Sequence, residues 1–76
     1  MLPNLKALGV FAKVAETGSF AGAAKALNIS APVVSQHISQ LEETLDTALV
    51  YRSTRSLTLT EAGQKLARHA NDMLDA

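Results

Sequence analysis

The sequence has no cysteine and no tryptophan, only two phenylalanines and one tyrosine, and no excess of charge of either sign. Without cysteine, neither a disulfide framework nor a thiolate metal site can form. The longest early apolar run, residues 7–12, is flanked by Lys6 and Lys13 and is too short for a signal peptide or a membrane span. We therefore expect an intracellular protein with no membrane partner.

Size and composition favour one small helical domain. The 76 residues are 47% apolar, and at this length a single hydrophobic core is only just sufficient. The balanced charge counts against nucleic-acid binding, but the charges are segregated along the chain. Residues 1–41 and 52–55 are net basic, whereas residues 42–46 and 61–75 are net acidic. A neutral chain of this kind can still carry a basic face.

Residues 18–28 predict a short helix with a signal at each end. Gly18 can end a preceding helix, and the side chain of Ser19 can accept a free backbone N–H at the start of the helix 20–27. Asn28 suits the left-handed conformation that ends this helix. The helix is dense in small residues, so another helix can pack closely against it.

A longer helix follows at once. Ser30 can cap it, and Pro32 lies in its first turn, where a missing N–H costs little. A short helix, a tight turn and a longer helix are typical of a helix-turn-helix, whose second helix usually enters the DNA major groove.

The two sides of this second helix differ in character. Its apolar stripe consists of Val34, Ile38, Leu41 and Leu45. Its outer face consists of Pro32, Gln36, Ser39, Gln40 and Glu43, with Ser35 on the flank. The first half of that face is uncharged, whereas Glu42, Glu43 and Asp46 make the far end acidic. We expect the N-terminal half to face DNA; the alternative is that these polar residues form only a solvated face.

The remaining segments predict a helix before this motif and a hairpin after it. The helix spans residues 5–17 and is capped by Asn4. Its expected inner face consists of Leu5, Leu8, Phe11, Val14 and Ala15. Residues 49–52 and 57–59 are β-prone, and the turn 53–56 between them makes a small wing. The prediction is a mainly α winged helix-turn-helix with a three-helix core and a short β-hairpin wing.

A last helix begins at Glu61, where Thr60 can cap it, and makes a C-terminal linker helix. We divide the chain into a winged helix-turn-helix domain over 1–59 and the start of the linker helix over 60–76. The apolar stripe of this helix consists of Ala62, Leu66, Ala70, Met73 and Leu74. We expect the stripe to project beyond the compact domain uncovered, and so to mediate dimerisation.

Two blocks of residues carry a family resemblance. They comprise Phe11, Val14, Ala15, Glu16, Gly18, Ser19, Phe20, Ala23, Ala24, Leu27, Ile29, Ser30, Pro32, Ser35, Ile38, Leu41, Glu42 and Leu45, and then Leu49, Arg52, Arg55, Leu59, Thr60, Glu61, Ala62 and Gly63. In this order and at these distances they resemble the DNA-binding domain of a LysR-type transcriptional regulator. The resemblance covers residues 5–70, and the two blocks together are far more specific than either alone.

The resemblance implies a bacterial regulator of transcription that acts in the cytoplasm, at the nucleoid. Such regulators bind double-stranded DNA as dimers or larger assemblies joined through the linker helix. The expected site is an interrupted inverted repeat with A/T-rich flanks. A small-molecule effector binds a further C-terminal domain in the family, so we expect no cofactor in this chain.

The resemblance also implies which residues contact DNA. Base or groove contacts are expected from Ala31, Pro32, Val33, Ser35, Gln36 and Arg55, the last at the wing tip in the minor groove. Phosphate contacts are expected from Ser19, Ser30, His37, Ser39, Arg52 and Ser53. Alternatives stay open: His37 can be partly buried, Ser35 can be merely solvated, and Arg52 can anchor the hairpin to Glu42 or Glu43.

Four positions depart from the family pattern. Ala31 stands where glutamine is common, and Gln36 where arginine or lysine is common. Asp46 replaces the usual glycine at the helix end, and Val50 the usual phenylalanine. We expect the fold to survive these changes and the base preference to shift, because Ala31 cannot make a bidentate contact with adenine whereas Gln36 can.

No enzyme activity and no metal site are expected. The polar residues fall at helix caps and on the groove-facing helix, and the two histidines, His37 and His69, are far apart in sequence. Sequence-specific DNA binding is the favoured function. The alternative is a winged-helix protein-interaction module without DNA binding, which the zero net charge and the residues at positions 31 and 36 would favour.

Overall fold

The computed structural model describes residues 5–51 and 57–75 of the chain. Its elements are α1 (Leu5–Thr17), α2 (Phe20–Leu27), α3 (Ala31–Leu45), β1 (Val50–Tyr51), β2 (Thr58–Leu59) and α4 (Glu61–Asp75). The strands are antiparallel, with Val50 opposite Leu59 and Tyr51 opposite Thr58. The architecture is the predicted mainly α winged helix-turn-helix, although Asn4 and the turn 53–56 lie outside the described residues. Within those residues no helix is both long enough and apolar enough to span a membrane.

Helix α1 lies at the centre of the fold and contacts α2, α3 and α4. The largest fully buried side chains are Phe11, Ile38, Leu41, Leu49, Val14 and Val34. The prediction of the inner face of α1 is wrong at the N-terminal end of the helix, because Leu5 is 63% exposed. Ala7, Val10 and Ala12 are buried although they lie off the expected stripe. A helix contacted by three others is covered on more than one side, which a single-stripe prediction misses.

Helix α4 also departs from the prediction. Its apolar stripe was expected to be uncovered, but Ala62 and Leu66 pack, partly buried, against the core. Ala67 is buried as well, and Ala70 is only 1% exposed. The first turns of α4 therefore belong to the folded domain, because α1 supplies the apolar surface that covers them.

Candidate nucleic-acid interface

The start of α3 is fixed by its capping residue. The Oγ of Ser30 accepts a hydrogen bond from the Val33 backbone N–H at 3.3 Å, and the Ser30 carbonyl accepts from the N–H groups of Val33 and Val34. Pro32 lies in the first turn, where its missing N–H removes no helical hydrogen bond. The cap and proline predicted from the sequence are therefore both present, and α3 begins cleanly at Ala31.

The turn before α3 fixes the angle between the two helices of the motif. Ser19 caps α2, with its Oγ accepting from the Gly22 N–H at 2.8 Å. Asn28 adopts the predicted left-handed conformation, with φ of 59°, and the Ile29 N–H donates to the Ala24 carbonyl at 3.0 Å. These bonds satisfy a free N–H group at the start of α2 and a free carbonyl group at its end. They hold α3 in one orientation on the body of the domain.

Gly22 makes the Ser19 cap possible. A Cβ atom at this position would lie 2.8 Å from the Ser19 Oγ and 3.1 Å from the Thr17 Cβ. Glycine is thus required here for space and not for backbone conformation. Glycine at position 18 is required for backbone conformation, because the φ of Gly18, +78°, lies in the left-handed region. Gly18 ends α1 there, as predicted.

The faces of α3 match the prediction. Val34, Ile38 and Leu41 are fully buried, and Leu45 is partly buried against the core. The exposed residues of the helix include Ala31, Pro32, Val33, Gln36, Ser39, Gln40 and Glu43, while Ser35 is half-buried. The structure thus brings every expected groove residue on α3 to one end of the helix. Helix α3 has no lysine or arginine, and its first turn carries no acid.

His37 lies at the edge of this surface. The residue is half-buried, and its Nδ1 atom is buried without a hydrogen-bond partner. Partial burial was the alternative to a phosphate contact for this residue.

The wing is attached to the body through the backbone of Leu49. The Glu42 carboxylate accepts from the Leu49 N–H at 2.7 Å and from the Val50 N–H at 3.3 Å. On the other side, the Leu49 carbonyl accepts from the Thr60 N–H at 3.0 Å. The expected wing residues Arg52, Ser53 and Arg55 lie outside the described residues.

Thr60 and Gly63 join the wing to α4. The Thr60 Oγ1 donates to the Ala48 carbonyl at 2.8 Å and accepts from the Gly63 N–H at 3.0 Å, which confirms Thr60 as the cap of α4. A Cβ at Gly63 would overlap the Leu49 carbonyl oxygen. The positioning roles of Glu42 and Gly63 were missed from the sequence, since both depend on contacts with the Leu49 backbone.

The residues expected to mediate dimerisation fall into two groups, one packed against the domain and one whose side chains the structure does not describe. Ala70 is buried within the domain, and Ala62 and Leu66 are half-buried there, so the uncovered stripe does not exist over these positions. The side chains of Met73 and Leu74, at the far end of α4, lie outside the described part of the structure.

Comparison with known proteins assigns the family. Residues 5–64 match the model of the bacterial regulatory helix-turn-helix proteins of the lysR family. The chain has 51% identity over 63 residues to the transcriptional activator AaeR of Escherichia coli and 41% over 71 residues to the nitrogen assimilation regulatory protein nac of Klebsiella aerogenes. These matches cover 83% and 93% of the chain but 20% and 23% of the two relatives.

Solved structures agree with this assignment. The complex of the BenM DNA-binding domain with catB site 1 DNA has a TM-score of 0.89 at 35% identity, over 95% of this chain and 77% of that one. The CbnR DNA-binding domain in complex with DNA also gives 0.89, at 36% identity, over 95% of this chain and 83% of that one. The chain is therefore a winged helix-turn-helix domain. It belongs to the lysR family of bacterial regulatory proteins.

Proposed function

We propose that this domain binds double-stranded DNA sequence-specifically and serves transcriptional regulation, with the N-terminal half of α3 in the major groove. The observation that carries the proposal is the exposed, uncharged surface formed by residues 31–33 and Gln36, with the half-buried Ser35 beside it. It stands at the capped end of a helix whose other side is buried in the core. The BenM and CbnR domains, whose folds match this chain, were solved in complexes with DNA.

The charge distribution supports the same orientation. Glu43 and Asp46 are exposed at the C-terminal end of α3 and would be repelled by phosphates, whereas the first turn has no acid. The N-terminus of a helix also attracts anions. The helix therefore enters the groove by its N-terminal half, and the acidic end points away.

The phosphate contacts proposed for the domain are of two kinds. Ser19 and Ser30 use their oxygen atoms as caps, so each keeps its hydroxyl proton for a phosphate. The second kind is a charged contact from Arg52. Arg55, expected in the minor groove, is the one other arginine or lysine between Lys25 and Lys65. With two arginines per domain, the logarithm of the binding constant should fall with the logarithm of salt concentration with a slope of only about −2 per domain.

The assembly is proposed from the sequence and the family together. A homodimer formed through the far end of α4 would present two recognition helices to an interrupted inverted repeat with A/T-rich flanks. Met73 and Leu74 are the remaining candidates for that contact. In sedimentation, Leu74→Glu should convert a dimer to a monomer, whereas Asp72→Asn should not. Equal masses for both variants would place the dimer contact elsewhere.

We further infer a regulator without catalytic activity that works in the cytoplasm. The chain spans about a fifth of the length of the curated relatives it matches. For the effector of the whole protein we therefore propose only its chemical class. It is a small molecule that is expected to bind a C-terminal domain.

The proposal is tested by fluorescence anisotropy with A/T-flanked inverted repeats at two salt concentrations. We expect salt-sensitive binding that survives competition by random DNA. Gln36→Ala should flatten the preference among related sites, whereas Gln40→Ala, one turn further along the same exposed side, should keep it. Binding that random DNA abolishes would show a nonspecific binder, and no binding at low salt would favour the protein-interaction module.

A further inference from the structure

The first turn of α3 exposes three consecutive apolar residues, Ala31, Pro32 and Val33. Val33 is 37% exposed and is one of three large hydrophobic residues exposed among positions 5–51 and 57–70. The other two, Leu5 and Tyr51, lie on α1 and β1. These residues make a small apolar surface at the tip of a helix whose outer face is otherwise polar.

The side chain of Val33 is not part of the hydrophobic core. The core side of α3 is already formed by Val34 and Ile38, both fully buried. The cap uses the backbone N–H of Val33 and not its side chain. As a β-branched residue in an exposed helical position, Val33 is also a weaker helix former than alanine. Its side chain is thus free to serve binding.

Major-groove chemistry supplies one apolar partner. Among the groups that base pairs present there, the C5 methyl of thymine is the apolar one, and small apolar side chains contact it. The hydrogen-bonding alternatives are few on this helix, because α3 has no arginine or lysine for guanine and Ala31 has no polar group. Gln36 remains as a residue able to pair with adenine.

We propose that Val33, with Pro32 beside it, recognises thymine C5 methyl groups, and that these methyls set the base preference of the domain at the positions under the first turn of α3. The proposal rests on the DNA-binding function proposed above. Residues three apart on a helix have Cβ atoms about 5–6 Å apart, so Val33 and Gln36 can reach neighbouring base pairs. An A·T pair for Gln36 next to a thymine for Val33 is the expected core of each half-site.

The experiment uses the 76-residue chain and two steps. Preferred duplexes are first selected from a random library, and each thymine of the selected half-site is then replaced singly by deoxyuridine, which lacks only the methyl group. Affinity is measured for the native chain, for Val33→Ala and for Gln40→Ala. Gln40 lies seven residues further along on the same side of α3 and is also exposed, so it is a matched control.

We expect deoxyuridine at one or two positions to weaken binding of the native chain about threefold to fourfold, the loss for one buried methyl group. In Val33→Ala this sensitivity should disappear at those positions, with the helical circular dichroism unchanged, whereas Gln40→Ala should retain it. Equal affinity for thymine and deoxyuridine at every position would overturn the proposal while leaving DNA binding intact. Failure to select any duplex would instead overturn the proposed function.

Discussion

The carboxylate of Glu42 accepts a hydrogen bond of 2.7 Å from the backbone N–H of Leu49, seven residues further along the chain. The same oxygen accepts from the N–H of Val50, and both of these residues are buried. A side chain near the end of α3 thus fixes the start of the wing. This contact connects the recognition helix to the hairpin that is expected to reach the minor groove.

Glu42→Ala should destabilise the domain by about 1–3 kcal/mol, because two buried backbone N–H groups lose their acceptor. Glu42→Gln should cost less, since its amide oxygen can still accept. The measurement is urea unfolding, with Glu43→Ala as the control. Glu43 is exposed, and its replacement should change stability by less than about 0.5 kcal/mol. Equal effects of the two alanine variants would contradict the role of Glu42.

Gly63 and Gly9 provide a matched pair of glycine substitutions in helices. A Cβ at Gly63 would overlap the backbone oxygen of Leu49, which cannot rotate away, whereas a Cβ at Gly9 meets nothing within 4 Å. Gly63→Ala should therefore destabilise by about 1–3 kcal/mol. Gly9→Ala should stabilise by about 0.5–1 kcal/mol through helix propensity. Thermal unfolding followed by circular dichroism distinguishes the two variants. An unchanged melting temperature in Gly63→Ala would show that α4 does not pack this closely on the wing.

Asp46 ends α3 in the left-handed conformation, with φ of 52°. Glycine adopts this conformation without the steric cost that a Cβ adds. Asp46→Gly should therefore stabilise the domain by about 0.5–1 kcal/mol. Asp46→Ala should lower the melting temperature, because alanine has a Cβ but no polar group for local hydrogen bonds. A lower melting temperature for the glycine variant would mean that the aspartate side chain stabilises the turn.

Arg55 is expected to reach the minor groove at the flank of the binding site, a role that the family resemblance implies. Arg55→Ala should weaken binding most on A/T-rich flanks and reduce the salt slope by about one unit per domain. Arg68→Ala removes the same charge from an exposed position on α4 and should leave the flank preference unchanged. An equal loss on all flanks in Arg55→Ala would indicate a plain phosphate contact.

The local parts of the fold could be predicted from the sequence because their signals are local. Ser19, Ser30 and Thr60 cap helices at the positions expected, and Asn28 ends α2 in the expected conformation. A cap requires only the next three residues, so no tertiary information is needed. The same reasoning gave the outer face of α3 and hence the candidate interface.

Contacts between distant segments could not be predicted in the same way. Ala70 is buried because α1 presents an apolar surface to α4. Leu5 is exposed because it lies at the end of α1. Likewise, the sequence predicts an acidic helix end at Glu42, with Arg52 as an alternative partner in the hairpin. The hydrogen bonds of Glu42 to the Leu49 and Val50 N–H groups exist only once β1 turns back toward α3. Helical periodicity shows that a face is apolar but does not show which element covers it.

The most direct test of the central claim is a titration of the ¹⁵N-labelled chain with a selected duplex, followed residue by residue in NMR spectra. Binding by the N-terminal half of α3 predicts that the largest shift changes fall on the backbone amides of residues 31–36, except Pro32, and on the side-chain amide of Gln36. Residues 9–13 in the middle of α1 should change little. Large changes on α1 or α4 with residues 31–36 unaffected, or no change at saturating duplex, would contradict the account.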